Sequence, residues 1–532
     1  MSSTRILTLV PILLIACAAE EDTSRSTAFA CEPEQAAPYA DGIPYLGVHA
    51  DAGNSDVIRC ESADDYTQAW HALAGLGLAQ PNTFSPDGST TYATTTNPDP
   101  DGCRLWALDT SSGDVRWCQT YPPSIGQGAV EVDALGHLYF TVGDSLVSLD
   151  EAGQGRWSTV FSAEGEVDAP WGLHFTPDGH IATVTSSGVV HLLDREDGGV
   201  LSSLSIAEEW GFVPPATLDL SGEIDLASLL PDAVQADVIE VWGEPTEGDT
   251  ASGVAGFLGA GGFVDNTLGI GPRGHLYIIG GGPDEDHGAL VQVRVGGTVQ
   301  APRLTSGWAA TTVGGSATSP SISQDGRWVV IGDGSTTAAI LSSTAADAHV
   351  RVVDADACNE NSDADPDPRA CAFAFEEALE RGPLPGSPAI LPDGTVLFYE
   401  FSLDFAFSPE ARDLVAVGPD GILWETTLPD DLDWNSVITV TDTHIIGTAS
   451  RVTLSDQSLL GLHFPMETED RLVLLDRDDG HLIRAIPVAD DSSATVTIGP
   501  DGALYVGIFG LLSVLSIEDR PNLGLVRFDP LP

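Results

Sequence analysis

The sequence predicts an all-β protein, an eight-bladed β-propeller closed by a strand from the N-terminal side. Three observations predict it. Short apolar runs separated by Gly-containing turns recur in phrases of roughly 40 to 50 residues, the period of four-stranded propeller blades. The 532 residues hold 57 Gly and 35 Pro at 42% hydrophobic content, which favours many strands and turns around a real core over helices. The last phrase stops after its third strand, and Tyr66–Leu73 (YTQAWHAL) resembles the fourth strand of the first phrase, DVRWCQTY. An open ring would leave a bare strand edge, and this pairing closes it. A seven-bladed ring is the alternative count.

From the N-terminus, Arg5 precedes an apolar run, Ile6 to Ala16, that is too short to span a bilayer and reads as a signal peptide over residues 1–16. Its end, Leu14-Ile15-Ala16-Cys17, resembles the lipobox of bacterial lipoproteins. That resemblance implies cleavage before Cys17 and acylation of its sulfur and new amino group, several chains together giving stable anchoring. Ala18 after the cysteine, by resemblance to Gram-negative lipoproteins, implies the outer membrane. The alternative is a secreted protein cut at a small-residue site. Residues 17–38 read as a polar tether, and 39–532 as one propeller domain with order beginning near Tyr39.

The phrases begin at Thr83, Ala129, Gly172, Thr267, Ser319, Ser387, Ser436 and Thr495. Each supplies strands A and B across a Gly-containing turn, then C and D across a second. The first is the clearest: Leu105-Trp106-Ala107-Leu108-Asp109, the turn Ser111-Ser112-Gly113-Asp114, and Val115-Arg116-Trp117. One such sheet has too little apolar face to stand alone and needs neighbours of its own kind. Residues 208–266, with a glycine-rich tail, break the rhythm and read as an insertion between the third and fourth phrases; a degenerate extra blade is the alternative.

Setting Cys17 aside, Cys31, Cys60, Cys103, Cys118, Cys358 and Cys371 form an even set, as expected of an oxidising compartment. Nearest-neighbour pairing joins 31 to 60, 103 to 118 and 358 to 371, one of the 15 connectivities that six cysteines allow. Cys103 and Cys118 flank a C–D hairpin. Cys358 and Cys371 are expected to end strand C and begin strand D of the fifth phrase.

The charge narrows the partners. Against 79 acidic residues stand 21 basic ones, all Arg, for a net charge of −58. Such a surface repels phosphate backbones and anionic headgroups, so nucleic acid is excluded as a partner. Gly269-Ile270-Gly271-Pro272-Arg273-Gly274 matches a dinucleotide fingerprint in letters only, because a strand and not a helix follows it. The acidic segment 354–367 is dense in oxygen ligands and could take calcium, but its spacing is not that of an EF-hand, and a solvated loop is the simpler reading. Pro283-Asp284-Glu285-Asp286-His287 reads the same way. His137, His180, His275 and His481 sit beside turn glycines and open strands. His174, on an inner strand, could line a central channel. No HExxH, GxSxG or P-loop motif occurs.

The phrases ending LWALD, with a following Gly and RW, resemble pyrroloquinoline-quinone-type (quinoprotein-like) propeller repeats. The best matches are Leu105–Asp109 with Gly113 and Trp117, and Leu146–Asp150 with Trp157; Leu475-Asp476 with Gly480 matches in part. The resemblance covers most of residues 66–532. It implies that the strand-D tryptophans Trp117, Trp157 and Trp424 pack between blades, although the third, fifth and seventh phrases lack one. Alcohol and sugar dehydrogenases of this superfamily bind the quinone with calcium, and many of the alcohol dehydrogenases carry a disulfide between adjacent cysteines. No adjacent Cys pair or matching ligand set occurs here. Other members are non-enzymatic lipoproteins, including the propeller subunit of the barrel-assembly machinery.

These readings together predict a lipid-anchored envelope propeller, periplasmic or surface-exposed, that binds or scaffolds without catalysis, has no cofactor, and engages the membrane through Cys17 and another envelope protein or a glycan. The alternative is an enzyme using the central channel, a quinone-dependent oxidoreductase or a metal-assisted hydrolase or lyase.

Overall fold

Eight antiparallel blades stand in a ring in the structure, a computed structural model; six have four strands, and in the sixth and seventh a short strand, Leu384–Pro385 or Asp433–Trp434, makes a fifth. It describes residues 37–96, 99–121, 129–162, 168–214, 263–264, 266–316, 318–334, 348–360, 370–378, 384–401, 414–454, 458–459, 462–463, 466–492, 494–510 and 522–531. The signal peptide, Cys17, most of the tether and Cys31 lie outside the described residues.

Strands A to D run from the ring centre outward. Blade 1 comprises Thr83–Phe84, Thr90–Thr94, Cys103–Asp109 and Val115–Thr120; blade 2, Glu131–Val132, Leu138–Val142, Ser145–Leu149 and Gly155–Val160. Blade 3 comprises Pro170–Phe175, Ile181–Thr185, Val189–Leu193 and Val200–Ser205; blade 4, Gly269–Ile270, Leu276–Gly281, His287–Thr298 and Ala301–Val313. Blade 5 comprises Ser321–Ile322, Trp328–Asp333, His349–Asp354 and Phe375–Ala378; blade 6, Ala389–Ile390, Val396–Phe401, Leu414–Gly418 and Gly421–Thr426. Blade 7 comprises Thr439–Val440, His444–Leu454, Met466–Asp476 and Leu482–Pro487. Blade 8 takes Thr497–Ile498, Leu504–Ile508 and Gly524–Pro530 from the C-terminus and Tyr66–Ala72 from the N-terminal side, with Tyr66 opposite Pro530 and Ala72 opposite Leu525. The ring therefore has eight blades, and the N-terminal strand closes it.

The sequence pattern follows from position in the blade. Strand B is covered on both faces, so Ile181–Thr185 is buried throughout and reads as a continuous run. Strand D is the outer edge, and Val200–Ser205 mixes exposed with half-buried positions. The core is a set of layers between blades. Tyr92, Leu105 and Ala107 of blade 1 pack on Leu138, Phe140 and Leu149 of blade 2, and Val330, Val350 and Val352 of blade 5 on Val396, Phe398 and Val415 of blade 6. No blade buries its faces without its neighbours.

The repeated Asp at the end of strand C is a turn device. Asp109 Oδ1 accepts from the Ser111 amide (2.9 Å), Asp150 Oδ1 from Gln154 (2.7 Å), Asp194 Oδ1 from Glu196 (2.7 Å) and Asp476 Oδ1 from Asp478 (2.8 Å).

The strand-D tryptophans of blades 1, 2 and 6 latch those blades to the next. Trp117 Nε1 donates to the Glu151 carbonyl in the C–D turn of blade 2 (3.1 Å), and Gln119 donates to the Gly153 carbonyl there (2.9 Å). Trp157 and Thr159 do the same to Arg195 and Gly198 of blade 3 (3.1 and 2.7 Å). Trp424 lies over Gly480 of blade 7, whose carbonyl accepts from Thr426 Oγ1 (2.7 Å). The closing strand carries a fourth latch that the motif comparison passes over: Trp70 Nε1 donates to the Thr110 carbonyl of blade 1 (3.0 Å). The partner turns need their glycines. At Gly198, with φ +73°, an added Cβ would stand 2.5 Å from Trp157 Cε3.

Cys103 is bonded to Cys118 and Cys358 to Cys371, with Cα separations of 5.8 and 5.4 Å. Cys60 is disulfide-bonded, and its expected partner Cys31 lies outside the described residues. In the fifth blade the expected strand placement is corrected. Asp354 ends strand C, Cys358 lies in a short helix, Ala355–Glu360, and Cys371 precedes strand D, Phe375–Ala378. Asp354 Oδ1 accepts from the amides of Asp356 and Ala357 (both 3.1 Å), which turns the chain into that helix. At the start of the 208–266 stretch a five-residue helix, Ile206–Trp210, runs in from strand D of blade 3, capped by Ser205 and ended by Gly211 at φ 71°. Residues 215–262 and 265 lie outside the described residues.

Candidate functional site at the ring centre

The ring centre is filled by the protein's own chain. Residues 39–60, upstream of the closing strand, cross it with Tyr45, Asn54, Ser55 and Asp56 fully buried. Their carbonyls radiate like spokes to inner strands. The Ile270 amide of blade 4 donates to Ala52 (2.6 Å), Ile322 of blade 5 to Gly53 (2.7 Å), Ile390 of blade 6 to Ser55 (3.1 Å) and Val440 of blade 7 to Asp56 (2.8 Å). The tight winding this requires is visible at Asn54 and Asp56, which take φ of 54° and 57°. Asn and Asp are among the few side chains that tolerate this left-handed region. Inner-strand amides that would otherwise face an open channel are thereby satisfied.

Two imidazole–carboxylate pairs fasten this plug. His174, on strand A of blade 3, places Nδ1 2.5 Å from Glu131 Oε1 on strand A of blade 2, and both side chains are 1% exposed. Asn54 Nδ2 donates to the Leu268 and Pro320 carbonyls (3.1 Å each), so its Oδ1 is the acceptor for His174 Nε2 at 2.8 Å. Tyr39 O–H donates to the other oxygen of Glu131 (2.9 Å). Burial pushes the Glu131 carboxyl up, against the opposing pull of His174. Gly47 of the plug makes room for this carboxylate, since a Cβ there would stand 2.7 Å from Oε1.

The second pair lies within the plug. His49 Nδ1 meets Asp56 Oδ2 at 2.8 Å, and Nε2 reaches Ser319 Oγ at 2.9 Å. Burial raises the Asp56 carboxyl while His49 lowers it. The first pair thus ties blades 2 and 3 to the plug through Asn54, and the second ties the plug to Ser319 at the head of blade 5.

His174 does face the centre, as its inner-strand position suggests, but against the plug and not an open channel. His137 Nδ1 pairs with Asp133 Oδ2 (3.1 Å), and His180 is buried beside its turn. His481, exposed on the C–D turn of blade 7, meets Asp479 Oδ1 at 2.6 Å. Gly269–Gly274 forms strand A and the A–B turn of blade 4 and is followed by strand Leu276–Gly281. In the acidic segment, Asp354 Oδ2 holds Arg327 (2.9 Å), Asp356 pairs with Arg273, and Asn359 accepts from Arg294 (3.2 Å). Residues 361–369 lie outside the described residues.

The sequence reading missed the plug, together with His49, Asp56, Glu131 and Asn54. That reading placed residues 39 onward in the propeller without giving 39–60 a role; the available signal was the apolar run Ile43-Pro44-Tyr45-Leu46, which lies ahead of the closing strand and belongs to no phrase.

A cavity of about 320 Å³ remains between the plug and the A–B turns of blades 3, 4 and 5. Phe175, Ile270, Ile322, Val57 and Ile58 line it, and Arg59 and Gln324 meet across it. A planar quinone with its calcium ion, which the quinoprotein resemblance brings to mind, would need a flat space and free carboxylate oxygens at the centre. The carboxylates there are engaged, Glu131 with His174, Asp56 with His49, and Asp51 with the amides of Gly53 and Ser55 and the Ser55 hydroxyl, so these residues do not fit that group.

No family model and no curated protein matches the sequence. Solved structures match the fold. A quinohemoprotein alcohol dehydrogenase from Comamonas testosteroni is similar with a TM-score of 0.52 at 13% identity, over 92% of this chain and 81% of that one. A quinohemoprotein alcohol dehydrogenase from Pseudomonas putida is similar with a TM-score of 0.51 at 13% identity, over 92% and 82%. BamB from Moraxella catarrhalis gives a TM-score of 0.44 at 12% identity, over 88% and 98%. The architecture is that of a quinoprotein-like repeat propeller, a likeness of fold alone.

Proposed function

We propose that this protein is a non-catalytic binding propeller of the bacterial envelope, tethered to the membrane through lipid on Cys17 and engaging another envelope protein or a glycan by its rims. The filled ring centre carries the reading. With residues 39–60 spoked to inner strands, the channel that would hold an enzyme's reacting groups is taken up by structural contacts, and the loops and turns of the two rims are left to meet a partner. The Ile6–Cys17 sequence supports the anchor. Among the described residues no helix is long and apolar enough to cross a membrane.

The tests are separate for anchor and activity. Replacing Cys17 by Ser should move the protein from the membrane to the soluble fraction; unchanged membrane association would refute the anchor. Purified protein given pyrroloquinoline quinone, calcium and an electron-accepting dye should oxidise neither alcohols nor sugars above background, and turnover would overturn the non-catalytic reading.

A further inference from the structure

We propose that the cavity between the plug and the A–B turns of blades 3 to 5 binds a compact apolar molecule carrying one anionic group. The volume of about 320 Å³ lies at the small end of ligand pockets. Its walls are preformed. Phe175, Ile270 and Ile322 sit on inner strands at 2 to 4% exposure, and Val57 and Ile58 sit on the plug at 7 and 3%. The Ile270 and Ile322 amides are bonded to the plug, so the walls are held without a ligand.

The charge at the mouth selects the ligand class. Arg59 is exposed, and its NH2 group donates to Gln324 Oε1. Among the described residues no carboxylate pairs with it, whereas Arg116, Arg156, Arg273, Arg327, Arg351 and Arg527 each hold one. A guanidinium without a carboxylate, in a chain with 79 acidic residues, is a standing site for an anion. Asp51 also lines the cavity, but its oxygens accept from the amides of Gly53 and Ser55 (2.9 and 3.0 Å) and from Ser55 Oγ (2.6 Å). The overall charge of −58 opposes polyanions. The occupant that reconciles these features has an apolar body for the walls and a single negative group for Arg59.

Two fluorescent probes of nearly the same body test this: 8-anilinonaphthalene-1-sulfonate, which is anionic, and N-phenyl-1-naphthylamine, which is neutral. Both should bind the full-length protein saturably at one site. Arg59→Gln should weaken the anionic probe roughly tenfold and leave the neutral one unchanged. Ile322→Trp, which fills the cavity from blade 5, and Val57→Phe, which fills it from the plug, should each abolish both signals, with circular dichroism confirming the fold. Two results would overturn the proposal: undiminished binding of both probes to a folded cavity-filling variant, or an Arg59→Gln variant that leaves the ratio of the two affinities unaltered. The Cys17 and turnover experiments do not bear on this outcome, so the two readings fail independently.

Discussion

Glu131 and His174 stand 2.5 Å apart on the inner strands of adjacent blades, and Asn54 of the plug bonds the far nitrogen of the same imidazole. One side chain from each of three chain segments therefore meets at a point with almost no access to water. Such an arrangement is expensive to break from one side, because the survivor keeps a charge or proton with nowhere to place it.

Glu131→Ala should accordingly destabilise the protein by about 3 to 5 kcal/mol, read from denaturant unfolding. The double variant Glu131→Leu with His174→Leu should lose less than the sum of the two single changes. A single-variant loss below about 1 kcal/mol would mean that the pair behaves as though solvated.

Asp470 supplies a pH signature. It is 5% exposed. Burial first, and then repulsion from Asp490, raises its carboxyl from 3.8 to about 6, against a hydrogen bond from Ser450. The folded value lies above the unfolded one, so its contribution to stability is complete below about pH 4 and is lost as pH rises through about 6. Asp470→Asn should therefore gain stability relative to the parent between pH 4 and 7.5, on the order of 2 to 3 kcal/mol at the upper end. Parallel stability curves for the two proteins would refute this.

The blade latch can be isolated with two glycines. Gly198 and Gly179 both have positive φ, +73° and +86°, but only at Gly198 would a Cβ strike the neighbouring Trp157 and Thr159; at Gly179 nothing lies within 4 Å. Gly179→Ala should cost the backbone penalty alone, about 1 to 2 kcal/mol. Gly198→Ala should cost that plus an overpacking term of about 1 to 3 kcal/mol. Equal thermal shifts for the two would show that Trp157 does not press on its neighbour.

The Cys103–Cys118 bridge spans 15 residues across the hairpin of blade 1. Replacing both by Ser should lower stability by about 3 kcal/mol on the chain-entropy estimate. The parent with reductant should approach the same value, apart from the other bridges.

The blades were legible because each is a local unit. Strands joined by Asp- and Gly-bearing turns announce themselves within 20 residues, as Leu105 to Trp117 does. The closing strand was legible as well, because Tyr66–Leu73 imitates other D strands and the last phrase lacks one. The plug was not. Its contacts are made with strands far along the chain, 92 residues away for Tyr39 with Glu131 and 384 for Asp56 with Val440, and such long-range pairing leaves no periodicity in the segment itself. The same holds for Glu131 and His174, each an unremarkable member of a strand until the ring brings them together. Cys358 went astray for a smaller reason: the carboxylate of Asp354 starts a helical turn where alternation alone continues the strand.

The segment that fills the ring and the strand that seals it are made first, yet their partners run from Glu131 to Pro530. The plug and the closing strand therefore wait through synthesis for partners far downstream, and native topology is reached only when Gly524–Pro530 arrives. A chain that lacks Gly524–Pro530 would leave Trp70 and its neighbours as an unpaired edge, so proteolytic surveillance can recognise an unfinished molecule by a strand far from the missing one.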